Sequence, residues 1–464
     1  MNYRVLIIAY QFPPVGGAGV QRISKFVKYL PKHGWDVSVL TVENPSVPTV
    51  DQSLLQDVPS GTIIRKAKSL EPGYGIKDFI SGSRSTPKPW YSLSKILSIA
   101  KDTIRSAALN ILQPDPQILW VLNAILKGKK LLKDHNHQVI LVSGPPFSSF
   151  FVGSWLKRIS GVPLVLDYRD EWSLSNQYWK NKSNNCWTRF CQGFMQRAVI
   201  KSADTITATT ESTANELKKQ SLALGRSIDT HCIYNGYDHE DFKGVSFNRS
   251  VSDRLKLTYL GTLWRLTSPR PLVKALLLLN LLYPEILKKL DIEFVGRMTS
   301  DEFHLINKLR NLPCQVKCKE YVDHSESISL MHQSDILCLF LDSLPGAERV
   351  IPAKIFEYLA SNQRILAITP ESELTQILHK HDDVSCFHPQ EIPQIANYLF
   401  NSLTNPSLLT KTKPTRDVSQ FRRDNLSKQL AKVLCSTYLR SNSTISDTAR
   451  LNHQLSVSSR SPLC

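Results

Sequence analysis

The chain has no hydrophobic run long enough to cross a membrane. Its longest apolar stretch, residues 275–283, is interrupted by Asn280, whereas a transmembrane helix needs about 20 apolar residues. The apolar run at residues 5–9 is too short for a secretory signal, and Pro13 and Pro14 follow it closely. We therefore expect a protein without a secretory leader that is soluble or bound at a membrane surface.

A disulfide framework is also missing. The nine cysteines are odd in number and scattered along the chain, which is typical of reduced thiols in a cytoplasmic protein. Cys314 and Cys318 are spaced like one half of a zinc site, but no second pair lies nearby. We therefore predict a cytoplasmic protein with no metal site and no cofactor.

Acidic residues are scarce relative to basic ones. The sequence has 57 Lys and Arg against 40 Asp and Glu, a net charge of +17, and the part after residue 400 is especially basic. Such a charge favours a polyanionic partner, which can be nucleic acid, anionic lipid or a phosphorylated ligand. No RNA-recognition pattern, zinc-finger spacing or helix-turn-helix is visible. We predict a phosphorylated substrate and an anionic membrane surface as partners, and no nucleic acid.

The apolar residues that are present are grouped in short runs. Residues 4–9 form a β-branched run typical of a parallel strand buried on both faces. A glycine loop, a helix at about residues 20–32 and a second strand at 36–42 follow. This order of elements predicts a doubly wound α/β sheet.

Further strand-like runs divide into two sets. The first set continues at residues 139–142, 164–166, 205–208 and 231–234, and the second lies at 255–260, 292–295, 316–319, 336–341 and 365–368. A polar, irregular stretch after Gly236 separates them, so we predict domains at 1–240 and 241–415. Residues 416–440 are predicted to form a crossover helix, and the Ser-rich residues 441–464 a disordered tail.

Residues 91–112 fit neither set. Their apolar residues recur at helical spacing and are accompanied by Lys95, Lys101 and Arg105. The segment is either a helix on a membrane surface or a helix packed on the first domain.

The segment at residues 351–360 is the most informative for function. It follows an apolar run and a loop, and Pro352 is suited to the first position of a helix. Lys354 would then lie in the first turn, where free N–H groups and the helix dipole attract anions, with Glu357 on the same face. This arrangement fits a diphosphate with an attached ribose. The alternative is an amphipathic helix with an internal Lys354–Glu357 ion pair.

Two other loops carry candidate chemistry at the ends of predicted strands. Residues 143–149 form a rigid loop with Gly144, and Asp167 and Asp170 flank Arg169 just after a buried strand. Open α/β sheets bind ligands at this edge. Rigid loop packing, a structural Arg169–Asp ion pair and, for Gly16 and Gly17, a tight turn are the alternatives.

Taken together, these motifs resemble those of the family-4 glycosyltransferases, which are retaining enzymes of GT-B fold, and especially the bacterial subgroup that builds surface polysaccharides. The resemblance covers residues 3–435. It rests on the following motifs, in this order: Phe12-Pro13-Pro14-x-Gly16-Gly17, Ser143-Gly144-Pro145-Pro146, Asp167-Tyr168-Arg169-Asp170-x-Trp172, Ala203-Asp204, Asn235-Gly236-Tyr237-Asp238, Tyr259-Leu260-Gly261-Thr262, Ser334-Asp335 and Pro352-Ala353-Lys354-x-Phe356-Glu357.

The resemblance implies two facing Rossmann-like domains, the first for the acceptor and the second for a nucleotide-diphospho-sugar, with a last helix that braces the first domain. It also implies transfer in the cleft to a saccharide or lipid-linked acceptor. The candidate catalytic residues are Asp167, Arg169, Asp170 and Glu348. The candidate donor-binding residues are Gly16, Gly17, Gly144, Gly261, Thr262, Arg265, Lys354 and Glu357.

The sequence departs from the family pattern at several positions. Arg349, beside Glu348, stands where the family often has a glutamate. Thr262 and Thr267 replace a common Arg and Lys, so that Arg265 or Arg270 would supply the charge, and Phe150 replaces a frequent histidine. A nucleotide-sugar epimerase of the same fold and a non-catalytic membrane-associated scaffold remain alternatives.

Overall fold

The computed structural model describes residues 2–45, 50–71, 110–174, 185–243, 254–405 and 416–458. They form two α/β domains, each built around a parallel sheet with helices on both faces. The predicted fold class, two Rossmann-like domains with a last helix that returns to the first, is confirmed.

The first domain holds a seven-stranded sheet in the order β3-β2-β1-β4-β5-β6-β7. Its strands are β1 (Tyr3–Ile8), β2 (Trp35–Val42), β3 (Ile63–Ala67), β4 (Val139–Gly144), β5 (Leu164–Tyr168), β6 (Thr205–Ala208) and β7 (Asp229–Cys232). Its helices include α1 (Ala18–Tyr29), α2 (Val121–Asp134), α3 (Ser148–Ser160), α4 (Cys186–Ser202) and α5 (Glu211–Ala223). Because the chain winds outward in both directions from β1, the loops after β1 and β4 meet at the carboxyl edge where such sheets bind ligands.

The second domain repeats this plan with six strands in the order β10-β9-β8-β11-β12-β13. The strands are β8 (Leu255–Leu260), β9 (Leu290–Val295), β10 (Gln315–Lys319), β11 (Ile336–Phe340), β12 (Arg364–Ile368) and β13 (Val384–Phe387). The helices are α6 (Arg270–Leu282), α7 (Ser300–Asn307), α8 (His324–His332), α9 (Lys354–Ala360), α10 (Glu373–Leu378) and α11 (Ile392–Thr404). Helices α6 and α11 cover one face, and α8, α9 and α10 cover the other.

Two chain crossings join the domains side by side. Tyr237 N donates to Phe421 O (3.1 Å), and Arg423 N donates to Tyr237 O (2.9 Å). A Cβ at Gly236 would collide with Phe421 O, so this close approach requires glycine. The last helix, α12 (Arg423–Ser458), then packs Leu426, Leu430 and Leu434 into the core beneath α1.

Some details differ from the predictions. The runs at residues 63–67 and 384–387 were not recognised as strands; both are edge strands with half-exposed side chains, so they lack the apolar signature of the central strands. The predicted disordered tail at 441–464 begins inside α12, which extends to Ser458. Residues 91–109 of the proposed surface helix lie outside the described residues. Among the helices that the structure describes, none combines the length and the apolar character that a membrane crossing requires.

Candidate functional site

The glycine loop before α1 faces the second domain. Gly17 is the N-cap of α1 with φ 116°, a conformation that L side chains rarely adopt. Tyr321, in the loop after β10, hydrogen-bonds to the backbone of Gly17 and to Asp51; burial and then the Asp51 carboxylate raise the pKa of Tyr321 to about 12. The predicted donor-binding residues Gly16 and Gly17 therefore lie at the domain interface.

Arg169 lies directly against the first turn of α1. A Cβ at Gly19 would collide with its Nη1, so a third glycine of the loop makes room for the guanidinium. Its Nη2 donates to Pro145 O, and its backbone N–H donates to Gly144 O (2.9 Å). Within the described part of the chain, its buried Nε has no hydrogen-bond partner. Burial lowers the pKa of Arg169, yet guanidinium groups stay charged in proteins. The structure thus joins Gly144, Arg169 and the glycine loop in one place.

Asp167 is not directed into the cleft. Its carboxylate forms a buried salt bridge with Arg22 Nη2 (2.8 Å) and accepts hydrogen bonds from Ser143 Oγ (2.8 Å) and Thr207 Oγ1 (2.9 Å). Burial opposes its ionisation, but Arg22 and these donors outweigh burial and hold the pKa of Asp167 below its ordinary value. Asp167 therefore fixes α1 to the sheet through Arg22, while the predicted neighbour Asp170 is exposed.

Lys354 and Glu357 form an ion pair, with 2.6 Å between Nζ and Oε2. Helix α9 begins at Lys354, two residues later than predicted, and Ile355 N already donates to Pro352 O (3.1 Å). The expectation that free N–H groups of this helix end hold an anion is therefore weakened, because the helix has only seven residues and one of those groups is used. Lys354 also donates to Ser327 Oγ (3.0 Å) and remains about one-quarter exposed.

Glu357 faces the first domain through a histidine that sequence reasoning did not place. His324 Nδ1 lies 3.9 Å from Glu357 Oε1 and 2.9 Å from Gln21 Nε2, which is on α1. Its Nε2 lies 2.9 Å from Asp241 Oδ2. Since a carboxylate only accepts, Nε2 carries the proton and Nδ1 accepts from Gln21. Burial disfavours ionisation of Glu357, but the ammonium of Lys354 lowers its pKa, so it is a carboxylate.

A cluster of opposite charges extends this contact along α1. Lys25 Nζ lies within 3.1 Å of Asp57, Asp238 and Asp241, and Lys28 pairs with Asp57, Asp238 and Glu240. Burial opposes the charge of Lys25, yet the carboxylates raise its pKa. The cluster anchors the interdomain segment that carries Asp238 and Asp241 to α1, and so positions His324.

Arg349 clamps the two domains at a second point. Its guanidinium makes two contacts with Glu171, Nε to Oε2 at 2.8 Å and Nη2 to Oε1 at 3.3 Å. Glu348, a predicted catalytic residue, is half exposed and lies 3.2 Å from Arg349 Nη1. Nearby, the Glu373 carboxylate of α10 accepts from the N–H groups of Glu211 and Ser212 and so caps α5 of the first domain.

The loop after β8 meets α9 at the carboxyl edge of the second sheet. Leu260 N donates to Tyr358 Oη (2.9 Å), which places Gly261 beside α9. Gly261 has φ 153°, and a Cβ at Gly296 would collide with its carbonyl oxygen. Thr262 and Arg265 follow on this loop and are exposed. The predicted donor-binding residues of the second domain thus share one edge of one sheet.

Two of the departures from the family pattern have clear structural positions. Phe150 is fully buried against Tyr168, with 4.6 Å between ring centroids, so it packs in the core beneath Gly144. Arg270 lines an open depression of about 230 Å³ with Lys274 and Asp342. This depression lies beside α6, whereas Lys354 and Glu357 lie on the opposite face of the sheet.

Residues 15–241 match the family model Glycosyltransferase Family 4. The matched segment runs from the glycine loop through Arg169 to the first domain crossing, so it covers the first domain after β1. A comparison of the sequence with curated proteins gives no significant match.

Solved structures share the two-domain fold over nearly the whole chain. The N-terminal domain of trehalose-6-phosphate phosphatase from Candida albicans aligns with a TM-score of 0.62 at 10% identity, covering 94% of this chain and 97% of that one. WaaG, a glycosyltransferase involved in lipopolysaccharide biosynthesis, aligns with a TM-score of 0.56 at 12% identity, covering 93% and 99%. Identities this low establish the GT-B fold alone, while the family match of the first domain supports a glycosyltransferase.

Proposed function

We propose that the chain is a retaining glycosyltransferase that moves a sugar from a nucleotide-diphospho-sugar to a saccharide or lipid-linked acceptor, for cell-surface polysaccharide, at the cytoplasmic side of a membrane. The observation that carries the proposal is the position of the Lys354–Glu357 pair, which faces α1 of the other domain through His324. An ionised carboxylate there accepts hydrogen bonds from sugar hydroxyls, and an ammonium beside it attracts phosphate.

The reaction needs stabilisation of charge on the departing diphosphate. The bond between the anomeric carbon and the phosphate oxygen breaks, and its electron pair goes to the diphosphate. The acceptor hydroxyl oxygen then bonds to the same face of the sugar, and its proton goes to the leaving phosphate oxygen. Lys354, Arg265 and Arg169 are the candidate cations that would stabilise the negative charge on the diphosphate. Closure of the two domains would exclude water from the cleft. Asp170 and Glu348 remain candidates for contacts to the acceptor and the donor sugar.

Binding of a donor would require the interface to rearrange. Lys354 donates hydrogen bonds to Glu357 and Ser327, and Gln21 is hydrogen-bonded to His324. We expect the donor diphosphate to take over Lys354 and the donor ribose to take over Glu357, with small changes in the domain angle.

One observation also favours an epimerase of the same fold. Such an enzyme needs a general acid and base near the sugar, and His324 with Glu357 is a His–carboxylate set at 3.9 Å. However, His324 Nε2 already donates to Asp241, which leaves the neutral ring with only an acceptor directed at the interface.

The test is a screen of sugar nucleotides for thermal stabilisation, followed by product analysis with and without acceptor. A donor at about 100 times its dissociation constant adds about 2.7 kcal/mol to the free energy of unfolding. Transfer that needs an acceptor and keeps the anomeric configuration supports the proposal. Conversion of the donor alone into a different sugar nucleotide would identify an epimerase. If no donor is bound or turned over, the result would favour the non-catalytic scaffold.

A further inference from the structure

The outer face of α2, α3 and α4 carries large apolar side chains that are not used by the core. On α4, Trp187, Phe190 and Phe194 are 58%, 64% and 63% exposed. Their spacing of three and four residues places them in one stripe along the helix. The same helix turns Thr188, Val199 and Ile200 inward, so the aromatic stripe is a second apolar face, directed to solvent.

Exposed apolar side chains also occur on the neighbouring helices. Helices α3 and α4 lie side by side, since Ser154 Oγ is 2.7 Å from Ser202 Oγ and Lys157 Nζ donates to Ser202 O. On α3, Trp155 and Ile159 are exposed, and α2 beside it exposes Leu122 and Leu126. We call this surface the aromatic face.

The charged residues of the three helices that form the aromatic face are almost all basic. The three helices carry nine Lys and Arg side chains and one acid, Asp134. The basic residues are Lys127, Lys129, Lys130, Lys133, Lys157, Arg158, Arg189, Arg197 and Lys201. Lys157 is neutralised by Asp204 at the rim (2.7 Å), and Arg158 lies over the Trp155 ring (5.9 Å).

From this surface we propose that the aromatic face docks onto an anionic lipid bilayer. Trp and Phe insert at the boundary between headgroups and acyl chains, while Lys and Arg around them meet anionic headgroups. A second copy of the chain is a poorer partner, because joining two such faces would bring like charges together. Nucleic acid is also a poorer partner, because bases stack on the aromatic rings but leave Leu122, Leu126 and Ile159 without apolar contact.

The geometry relates the docked surface to the carboxyl edge of the first sheet. Helix α4 follows the segment that contains Arg169, and Gln192 of α4 accepts a hydrogen bond from Trp172 Nε1 in that segment. The proposal concerns a binding surface, and it stands whether or not the chain transfers sugar. It also concerns other residues than the surface helix predicted at residues 91–112.

The test is co-sedimentation of the full chain with vesicles of phosphatidylcholine alone or mixed with phosphatidylglycerol. We expect binding to the anionic vesicles that weakens with added salt. Arg189→Glu with Arg197→Glu should lower partitioning about 30-fold, from about 1 kcal/mol per cation. Lys288→Glu, on the second domain and 61% exposed in its side chain, is the matched control and should leave partitioning unchanged.

The apolar part is tested separately with Phe190→Ser and Phe194→Ser combined. We expect about a tenfold or greater loss of vesicle binding, with the unfolding temperature preserved because both rings are exposed. Leu281→Ser on α6, where the side chain is 79% exposed, is the matched control. Absence of vesicle binding by the native chain, or binding insensitive to both α4 variants, would overturn the proposal. The proposal would also be overturned if the chain did not bind vesicles but used Phe190 and Phe194 to bind single-stranded RNA or to dimerise.

Discussion

Two ion pairs, each between one basic and one acidic side chain, differ in their burial and in their hydrogen-bond partners. Arg22–Asp167 lies inside the first domain with both side chains at most 1% exposed, and every carboxylate lone-pair direction is used by Arg22, Ser143 or Thr207. Lys354–Glu357 lies between the domains, with the lysine 24% exposed. From this difference we infer that the saturation of hydrogen bonds and the access to solvent, more than the presence of charge, distinguish a structural pair from a candidate for ligand binding.

The largest expected effect comes from breaking the interior pair. Arg22→Met leaves the Asp167 carboxylate buried without its cation, which should cost about 3–5 kcal/mol in the free energy of unfolding. The measurement is chemical denaturation. The partly exposed pair Arg4–Asp36 provides the control, and Arg4→Met should cost less than about 1 kcal/mol. Equal losses for the two variants would remove the contrast.

Breaking the interface pair should affect ligand use. Glu357→Gln removes a charged hydrogen bond to the donor, worth about 1.5–3 kcal/mol, and should lower kcat/KM for the donor roughly 10- to 150-fold. Steady-state kinetics over a range of donor concentrations measures it. Glu285→Gln is the control, because Glu285 forms an exposed pair with Lys288 at the same spacing in the same domain. An unchanged rate in Glu357→Gln would exclude Glu357 from the donor site.

Measuring the free energy of unfolding as a function of pH sharpens the comparison. As the pH is lowered, we expect His137 to affect stability before the carboxylate of either ion pair is protonated. Burial lowers the pKa of His137 from 6.5 to about 4, so the unfolded chain binds a proton that the folded chain refuses between these values. The free energy of unfolding should therefore fall as pH decreases, by about 2 kcal/mol from pH about 6.5 to about 5.

The pKa values of both carboxylates, Asp167 and Glu357, are lowered in the folded protein. Their contribution to the free energy of unfolding is therefore complete above the ordinary carboxyl pKa and is lost as the pH falls through the lowered values. Denaturation at several pH values should show a flatter slope for His137→Gln. His304→Gln, at an exposed position, should keep the native slope. A native slope in His137→Gln would contradict this assignment.

The smallest effect is expected at the Arg349–Glu171 clamp, which joins the domains but is partly exposed. A double-mutant cycle with Arg349→Ala and Glu171→Gln should give a coupling energy of about 1 kcal/mol in unfolding. A coupling energy clearly different from zero would show that the two side chains stabilise the folded protein together. A coupling of zero would mean that Arg349 does not hold the domains together and is free to serve the donor in place of the usual glutamate.

Most of the central architecture was accessible from sequence because it depends on local pattern. The runs at residues 205–208 and 255–260 form strands with the predicted bounds, since they are rich in the apolar and β-branched residues that fit a buried strand. The edge strands Ile63–Ala67 and Val384–Phe387 were missed, because one side of an edge strand meets solvent and their sequences are mixed.

The site was only partly accessible. The glycine loop, Lys354 and Glu357 could be proposed as candidates because glycine at positive φ and charges at a strand or helix end leave a short local signal. His324 was not found: its neighbours Gln21, Asp241 and Glu357 are between 33 and 303 positions away in sequence, and no spacing rule links them. Asp323, which caps α8 by accepting from Glu326 N, was the one nearby local cue.

The sequence by itself determined the two parallel sheets and the loops that carry glycines and charges, because these follow from apolar runs and from backbone restrictions within a few residues. Only the tertiary structure decided which charges are committed and which are exposed to a ligand. Asp167 received Arg22 from α1, and Glu357 received His324, through packing of segments distant in sequence. Pairing of this kind depends on burial and distance in space, which no local pattern encodes.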